Sequence, residues 1–509
     1  MANSNSILQV YGGAIVLDPG SQSTKVGYAG EDYPRIITPS YARFDTQTED
    51  AVAAKKNIDA DGDIDLENNN NTNDDDNNNN NDNDDDTSFK PNIPKKRSYT
   101  YYSENSINFP KPHSEIKPIL EDGIISDWDT AVEQWNYLFE SLNVDYKQQP
   151  LLLTEPVWNT AENRTKSLEI ALEQFEFPGF YLASTPTCVS FALGRPSALV
   201  VDIGHDITSV TPVVDGMCLT KTTLKTHYGG RYLSTQLQHS LHSVNEDIIP
   251  LYKVKSKVLT KQNESPNWVP KQFENITKSF EEYQIENLYK QIKESIIKVP
   301  IDPIDHKANY ENEDELFPKR PYELPNGHTF EYGKKRFEIG DSLFEPKNYL
   351  LDEFPAESGE PEINSKIDYV PLKRAKKPTE EEEEESTKTT GSKRQKKEIP
   401  KYRGLGDLTA HALSLVDVDL RAQLAHNIIV TGSSSLIPGL NDRLMSELQK
   451  AHPGLKIRIH ASGNTAERKF QSWIGGSVLS SLGTFHQLWV SKKEFEEVGA
   501  EKLLTERFR

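Results

Sequence analysis

The stretch Val16–Gly30, VLDPGSQSTKVGYAG, gathers residue types that handle phosphate. An apolar run, Ile15 to Leu17, delivers Asp18 into Pro-Gly-Ser, and a second short strand follows through Lys25–Tyr28. That pattern predicts a β-hairpin with a polar, glycine-bearing tip. Gly20 lets the backbone come close to a ligand, and successive amides at such a tip make an anion-binding concavity. Asp18 is suited to a hydrated Mg²⁺, and Lys25 to neutralising phosphate. Taken alone, the stretch fits an ordinary surface hairpin equally well.

The pattern recurs. In Ala198–Val210, ALVVDIGHDITSV, an apolar strand again delivers an aspartate, Asp202, then one residue and Gly204. A third apolar strand, Asn427–Gly432, NIIVTG, ends in Gly432 with serines behind it, then Pro438, Gly439 and a helical pattern from Leu440. Two Asp-x-Gly hairpins and a strand–Gly–helix unit have the shape of a two-lobed nucleotide clamp. His205 reads as a hydrogen-bonding residue at a strand end rather than a ligand or base, and no Ser/His/Asp combination has hydrolase spacing.

The elements that must hold these residues are readable from periodicity. Trp128–Leu142 predicts a helix with Trp128, Val132, Trp135 and Phe139 on its buried stripe, and Leu151–Thr154 a buried strand. Thr160–Phe175 predicts a helix with Asn163 and Arg164 near its start. Gly229-Gly230-Arg231 reads as a turn into a helix Tyr232–Leu241, Lys253–Val269 as a loop, and Asn275–Ile297 as a long helix. Order is expected again near Ile116, and folded pattern from Leu405 to the end.

With 509 residues the chain is long enough for two or more domains. Its 35% hydrophobic content is low, so part of the chain is expected not to fold. The net charge of −20 is uneven, because Asp45–Asp86, rich in Asn and Asp, has fifteen acids against two lysines. That segment has too little apolar surface to offset its ordering entropy and is expected to be disordered. Two cysteines, Cys188 and Cys218, suit a reducing compartment and give no disulfide or metal framework. There is no apolar run of membrane-spanning length and no basic, apolar leader in MANSNSILQVYGG, so a soluble intracellular protein is expected. Pro346–Tyr402 holds KRAKK at Lys373–Lys377, six glutamates at Glu380–Glu385 and KRQKK at Lys393–Lys397. It reads as a solvated charged loop whose two basic clusters have the form of a nuclear import signal; PKKR at Pro94–Arg97 is a further basic cluster.

Several stretches resemble the actin family, that is, actin and the actin-related proteins: YAGEDYPR from Tyr28, GIISDWD from Gly123, LLLTEPVWNTAENR from Leu151, YELPNGHTFEYGKKRFE from Tyr322 and DVDLRAQLAHNIIVTG from Asp417. The tail ERKFQSWIGGSVLSSLGTFHQLWVSKKEFEE, from Glu467, resembles it most closely. Within the family the chain looks most like the nuclear members found in chromatin-modifying complexes. The resemblance implies an α/β, actin-like two-lobed fold, each lobe a five-stranded mixed sheet flanked by helices, around a central nucleotide cleft. It implies a first lobe from 1–39, 114–192 and 471–509, with an outer subdomain 40–113 carrying insert 45–86. The second lobe would comprise 193–228 and 404–470, with an outer subdomain 229–403 carrying insert 347–402. In the outer part of the first lobe, the sequence matching the family's filament-gripping loop is gone.

By the same resemblance the chain binds ATP with Mg²⁺. Asp18, Gly20, Ser21 and Lys25 match the first phosphate hairpin, Asp202 and Gly204 the second, with Asp18 and Asp202 as metal-shell carboxylates. Gly230 and Arg231 match a turn near the nucleoside, Lys293 and Glu294 the ribose and base, Gly432 the adenosine glycine, and Lys469 the lysine beside adenine. There are departures. Gln22 replaces a glycine at the first tip, His205 and Asp206 replace an aspartate and a glycine at the second, and Ser433 replaces a glycine. Thr185 stands where the family places the glutamine that orients the attacking water, and it is too short for that job. The expectation is therefore a non-filamentous subunit with structural ATP and at most vestigial hydrolysis. Its expected location is the nucleus and its expected roles are in transcription and DNA repair. Its expected partners are actin, a helix of a scaffold or motor subunit of histone-acetyltransferase and remodelling complexes, and histones or nucleosomes. The alternative is a polymerising cytoskeletal ATPase; a sugar-kinase-like enzyme is disfavoured by the tail.

Overall fold

The computed structural model describes residues 13–47, 97–143, 146–243, 248–260, 264–308, 310, 312–359 and 401–508. Two long apolar strand sets define it. Ile15–Pro19 and Leu151–Glu155 lie parallel, Leu17 beside Leu153, and are buried on both faces. They centre a sheet ordered Val490–Ser491, Gly179–Ser184, Leu151–Glu155, Ile15–Pro19, Ser23–Tyr28, Ile36–Pro39. In the second sheet Ala198–Ile203 lies parallel to Ile428–Thr431, Asp202 beside Thr431. Its order is Met217–Cys218, Thr208–Val214, Ala198–Ile203, Ile428–Thr431, Ile459–His460, with Leu224–Thr226 also on Thr208–Val214. Both sheets mix parallel and antiparallel pairs, and each has six strands, one more than expected: a two-residue strand extends each at an edge.

Between the sheets runs a pair of helices, Thr185–Ala192 and Gln471–Ser481, whose backbones touch. A Cβ on Gly475 would stand 1.7 Å from the Cys188 carbonyl oxygen, so only glycine fits. The Gln471–Ser481 helix faces the first sheet through Trp473, which packs with Val16 and Leu152. The Thr185–Ala192 helix faces the second through Val189, among Val200, Val213 and Ile429. The outer faces are covered by two larger cores. One, around Trp135, Phe139, Phe175 and Phe180, belongs to the first lobe. The other, around Tyr232, Leu237, Ile292 and Leu444, belongs to the second. The result is an α/β molecule of two lobes with a cleft between them.

Each lobe carries an outer part. In the first, Arg97–Tyr101, Tyr41–Gln47 and Ser114–Pro118 form a three-stranded sheet. It meets the long helix Lys278–Ile296 of the second lobe: Ile107, Ile116 and Phe280 form a small core. The Ile116 amide donates to Ser279 Oγ at 3.1 Å, and the Thr277 hydroxyl donates to the Ser114 carbonyl.

Several expectations need correction. Asp45 is not part of a disordered segment: it is 1% exposed in its strand, paired with Arg43 at 2.9 Å and Lys111 at 2.6 Å. Composition averaged over a window hides one aspartate with two cations. Ordered structure, expected near Ile116, is already present in the strand Arg97–Tyr101. Lys253–Val269 contains a hairpin, Val254–Val258 on Asn267–Pro270, with one face as exposed as the other, so no amphipathic pattern marks it. The helix after Gly229 begins at Gly230. Thr160–Phe175 is an α-helix, Ala161–Glu169, that widens into a π turn, Ile170–Gln174. The beginning of the segment expected to be a solvated charged loop is ordered: Pro346–Asn348 forms a helical turn and the chain is described through Gly359. Residues 48–86, Glu380–Glu385, the basic clusters Lys373–Lys377 and Lys393–Lys397, and Pro94 to Lys96 lie outside the described residues.

Candidate functional site

A cleft of about 1010 Å³ separates the lobes, lined by both Asp-x-Gly hairpins and by the Gly432 turn. Asp18, Gly20, Ser21, Lys25, Asp202, Gly204, Glu294, Gly432 and Lys469 all face it, as do Gln22, Thr185, His205 and Ser433. Gly230 and Lys293 do not line this space. The Lys293 ammonium donates to the Gly230 carbonyl at 2.6 Å and to Ser234 Oγ at 2.9 Å, which ties the long helix to the start of the Gly230–Ser243 helix. Burial holds the Lys293 pKa down to about 8, with Glu286 and Glu294 opposing. Lys293 instead borders an adjoining cavity of about 210 Å³ with Glu294, Ser434, Pro438 and Lys469.

The two hairpin aspartates differ. Asp18 ends its buried strand 4% exposed, and Lys25, opposite it in register, places Nζ 3.1 Å from Oδ2. Thr154 donates to Oδ1 at 2.5 Å and Ser472 to Oδ2 at 2.7 Å. Burial pushes the Asp18 pKa up, but Lys25 and the two hydroxyls outweigh it and hold the carboxyl below its usual value. The Asp202 carboxylate has no hydrogen bond or ion pair among the described residues. Burial and the nearby Asp18 charge push it up to about 6, with only Lys25 acting against them.

The tips are shaped by close approach. At Gly20 a Cβ would stand 3.2 Å from Lys25 Nζ. Gly432 has φ +89°, and its Cβ would come within 2.6 Å of Asp202 Oδ1 and 2.3 Å of the Ile203 carbonyl oxygen. The second lobe's loops are laced around Gly204: its carbonyl accepts from the Gly230 amide at 3.0 Å and from Ser434 Oγ at 3.0 Å. Arg231, matched to the same turn, donates its amide to the His205 carbonyl at 2.7 Å. Across the cleft Ser21 opposes the upward push that burial gives the Asp206 carboxyl. Burial and then the Lys293 and Arg231 charges push His205 down to about 3, so its imidazole is neutral near pH 7. Thr185 Oγ1 donates to the Glu155 carbonyl at 3.1 Å, which commits its hydroxyl to the wall.

Sequence reasoning missed Thr154, Ser472 and Ser434. Thr154 had a signal: it ends the apolar run that lies parallel to Ile15–Leu17, in the register position next to Asp18. Ser472 comes from 454 residues away and had none.

Together the site offers one partnered and one unpartnered carboxylate, a lysine between them, and glycine tips, an arrangement suited to a cation and a polyanion bridging two lobes. A family model described as Actin matches residues 11–509. The chain is 43% identical to a protein named actin-related protein 4 from Debaryomyces hansenii, over all of both chains. It is 41% identical to one of the same name from Candida albicans, over 99% of each. A third, from Saccharomyces cerevisiae, is 39% identical over 99% of this chain and 100% of the relative.

Proposed function

The chain belongs to the actin family as an actin-related protein of the actin-related protein 4 type, and on that premise we propose that it is a structural subunit that keeps ATP with Mg²⁺ in the cleft rather than turning it over. The observation that carries this reading is the unpartnered Asp202 carboxylate, half-buried at the cleft, facing the fully partnered Asp18. Two carboxylates from two lobes repel until a dication comes between them. Lys25, Gly20 and Ser21 on one tip and Gly204 on the other suit the phosphates. The cavity beside Glu294, Lys293 and Lys469 suits the nucleoside, with Gly432 leaving room and Gly230 holding the wall. When bound, Mg-ATP supplies charge neutralisation and a bridge between the lobes.

The residues around the tips favour retention over hydrolysis. Thr185 is short and bonded to the wall, and His205, pushed down to about 3, is too weak a base to activate a water. Beyond the cleft, the reading follows the relatives' type: a nuclear, non-filamentous subunit of histone-acetyltransferase and remodelling assemblies. It would contact actin, a scaffold or motor helix and histones, and act in transcription and DNA repair.

A ligand bound at a thousandfold excess over its Kd stabilises the folded state by about 4 kcal/mol. The test is the melting temperature with and without Mg-ATP, for the wild type and for Asp18→Ala with Asp202→Ala. We expect a rise in the wild type and none in the double variant, together with turnover slower than that of monomeric actin assayed alongside. Equal shifts in both proteins, or turnover matching actin's, would overturn the reading and favour a polymerising ATPase.

A further inference from the structure

The lobes meet again at a polar point away from the phosphate tips. Asp122 sits at the turn between Leu120–Glu121 and Ile124–Ile125 of the first lobe, in a left-handed conformation at φ +51°. Its carbonyl accepts the Trp158 indole N–H at 2.9 Å. His227 follows Leu224–Thr226 of the second lobe. Its Nε2 is 3.1 Å from Asp122 Oδ1, and its Nδ1 is 2.5 Å from Glu357 Oε1. Glu357 Oε2 also accepts the His227 amide at 2.7 Å, and the Glu357 amide donates to the Tyr228 hydroxyl at 3.2 Å. The Arg403 amide donates to the Glu357 carbonyl at 3.1 Å, and Arg403 Nη1 to the Ser358 carbonyl at 2.7 Å. Glu357 and Arg403 thus fasten the two ends of the chain flanking 360–400. Beside this, the Lys225 ammonium lies 5.5 Å from the Trp158 ring centroid, a second contact between the lobes.

We propose that His227 clasps the two lobes together between Asp122 and Glu357, and that through Glu357 the clasp couples cleft opening to the root of the 360–400 segment. A neutral imidazole has one N–H and can donate to one carboxylate. Here a carboxylate faces each nitrogen, which calls for the imidazolium with both nitrogens as donors. The Glu357 bond is the chief cause that pushes the His227 pKa up to about 9, against burial and with help from Asp122. Asp206, on the tip of the second hairpin, adds a further negative charge near His227, tempered by Arg231 and Ser21; Lys225 is the positive neighbour, on the strand that ends just before His227. Because the folded pKa is raised, the clasp is complete below the unfolded value near 6.5 and is lost as pH rises through about 9. It therefore opens in alkali.

Amide hydrogen exchange on the full-length chain tests this, with no nucleotide added so that the outcome does not depend on the proposed ATP site. We expect His227→Gln and Asp122→Asn each to lower protection at 119–126 and 224–229 by up to about tenfold, the scale of one charge-assisted hydrogen bond. Protection of the Trp128–Ser141 helix should stay unchanged and report that each variant is folded. Glu357→Gln should lower protection at 119–126 although its own bonds lie within the second lobe. Wild-type protection at 119–126, corrected for intrinsic rates, should fall between pH 7 and 10. Unchanged protection at 119–126 in Asp122→Asn, or a flat pH response, overturns the clasp. Loss in Asp122→Asn and His227→Gln but not in Glu357→Gln overturns the coupling to 360–400.

Discussion

The two phosphate hairpins look alike in sequence and differ in electrostatics. Each carries an aspartate one residue before the end of a buried strand and turns at a glycine two residues after it. Asp18 is met by Lys25, Thr154 and Ser472, and its charge is settled by the protein itself. Asp202 is more open to the cleft and its carboxylate lacks such partners among the described residues, and desolvation with the Asp18 charge pushes it up to about 6. The first hairpin is built to stand in the empty cleft; the second is left short of a positive charge. An unmet carboxylate beside a met one is a stronger pointer to a cation than either aspartate motif alone.

The most severe way to break this contrast is Asp18→Ala. It strands a largely buried ammonium and two hydroxyls, and we expect about 3–5 kcal/mol of destabilisation in chemical unfolding. Asp202→Asn should do the opposite in the ligand-free protein. The raised folded pKa means that the folded state holds a proton that the unfolded state has released between 3.8 and about 6, so stability falls as pH rises through that window. Well above pH 6, Asp202→Asn should therefore be more stable than the wild type by on the order of 3 kcal/mol, and below pH 4 it should be equal. It should also lose the Mg-ATP shift. Asp18 has the reverse slope: its depressed pKa gives stability that is present above 3.8 and lost as pH falls through the lower folded value. Thr154→Val should cost about 1.5 kcal/mol by removing a hydrogen bond to a charged group, and should move the acid limb of the stability–pH curve upward. Ser21→Ala, which removes the hydroxyl that favours the charged form of Asp206 across the cleft, should cost only about 0.5 kcal/mol. If Thr154→Val and Ser21→Ala proved equal, the difference between the two tips would be less than the geometry implies.

Much of this was legible in the residues. The buried strands announce themselves as apolar runs, and a glycine after each aspartate marks its tip, which is why nine of the twelve carried-over positions line one cleft. Gly230 and Lys293 fall behind its wall because a lysine that matches a ligand-facing position can equally be used to bond a helix start. Asp45 and the Val254–Val258 hairpin were misread for a shared reason. Both lie in stretches whose average is polar, and what orders them is a partner elsewhere: Lys111 for one, the facing strand Asn267–Pro270 for the other. Ser472 makes the same point over the longest separation. A hydrogen bond between residues far apart in the chain leaves no local trace.

The helix Gln471–Ser481 has a bearing on how the chain acquires its shape during synthesis. All six strands of the second sheet lie between Ala198 and His460 and can pair as soon as they emerge. The first sheet has five strands made by Ser184, yet the helix that covers the face carrying Val16 and Leu152 comes from Gln471 onward. Until that helix arrives, one face of an early sheet stays uncovered while the whole second lobe is translated. Such sequence-distant closure is slow and leaves apolar surface exposed to neighbouring chains. The lobe made first is thus the lobe finished last, and a ribosome stalled before Gln471 would hold a chain prone to aggregate.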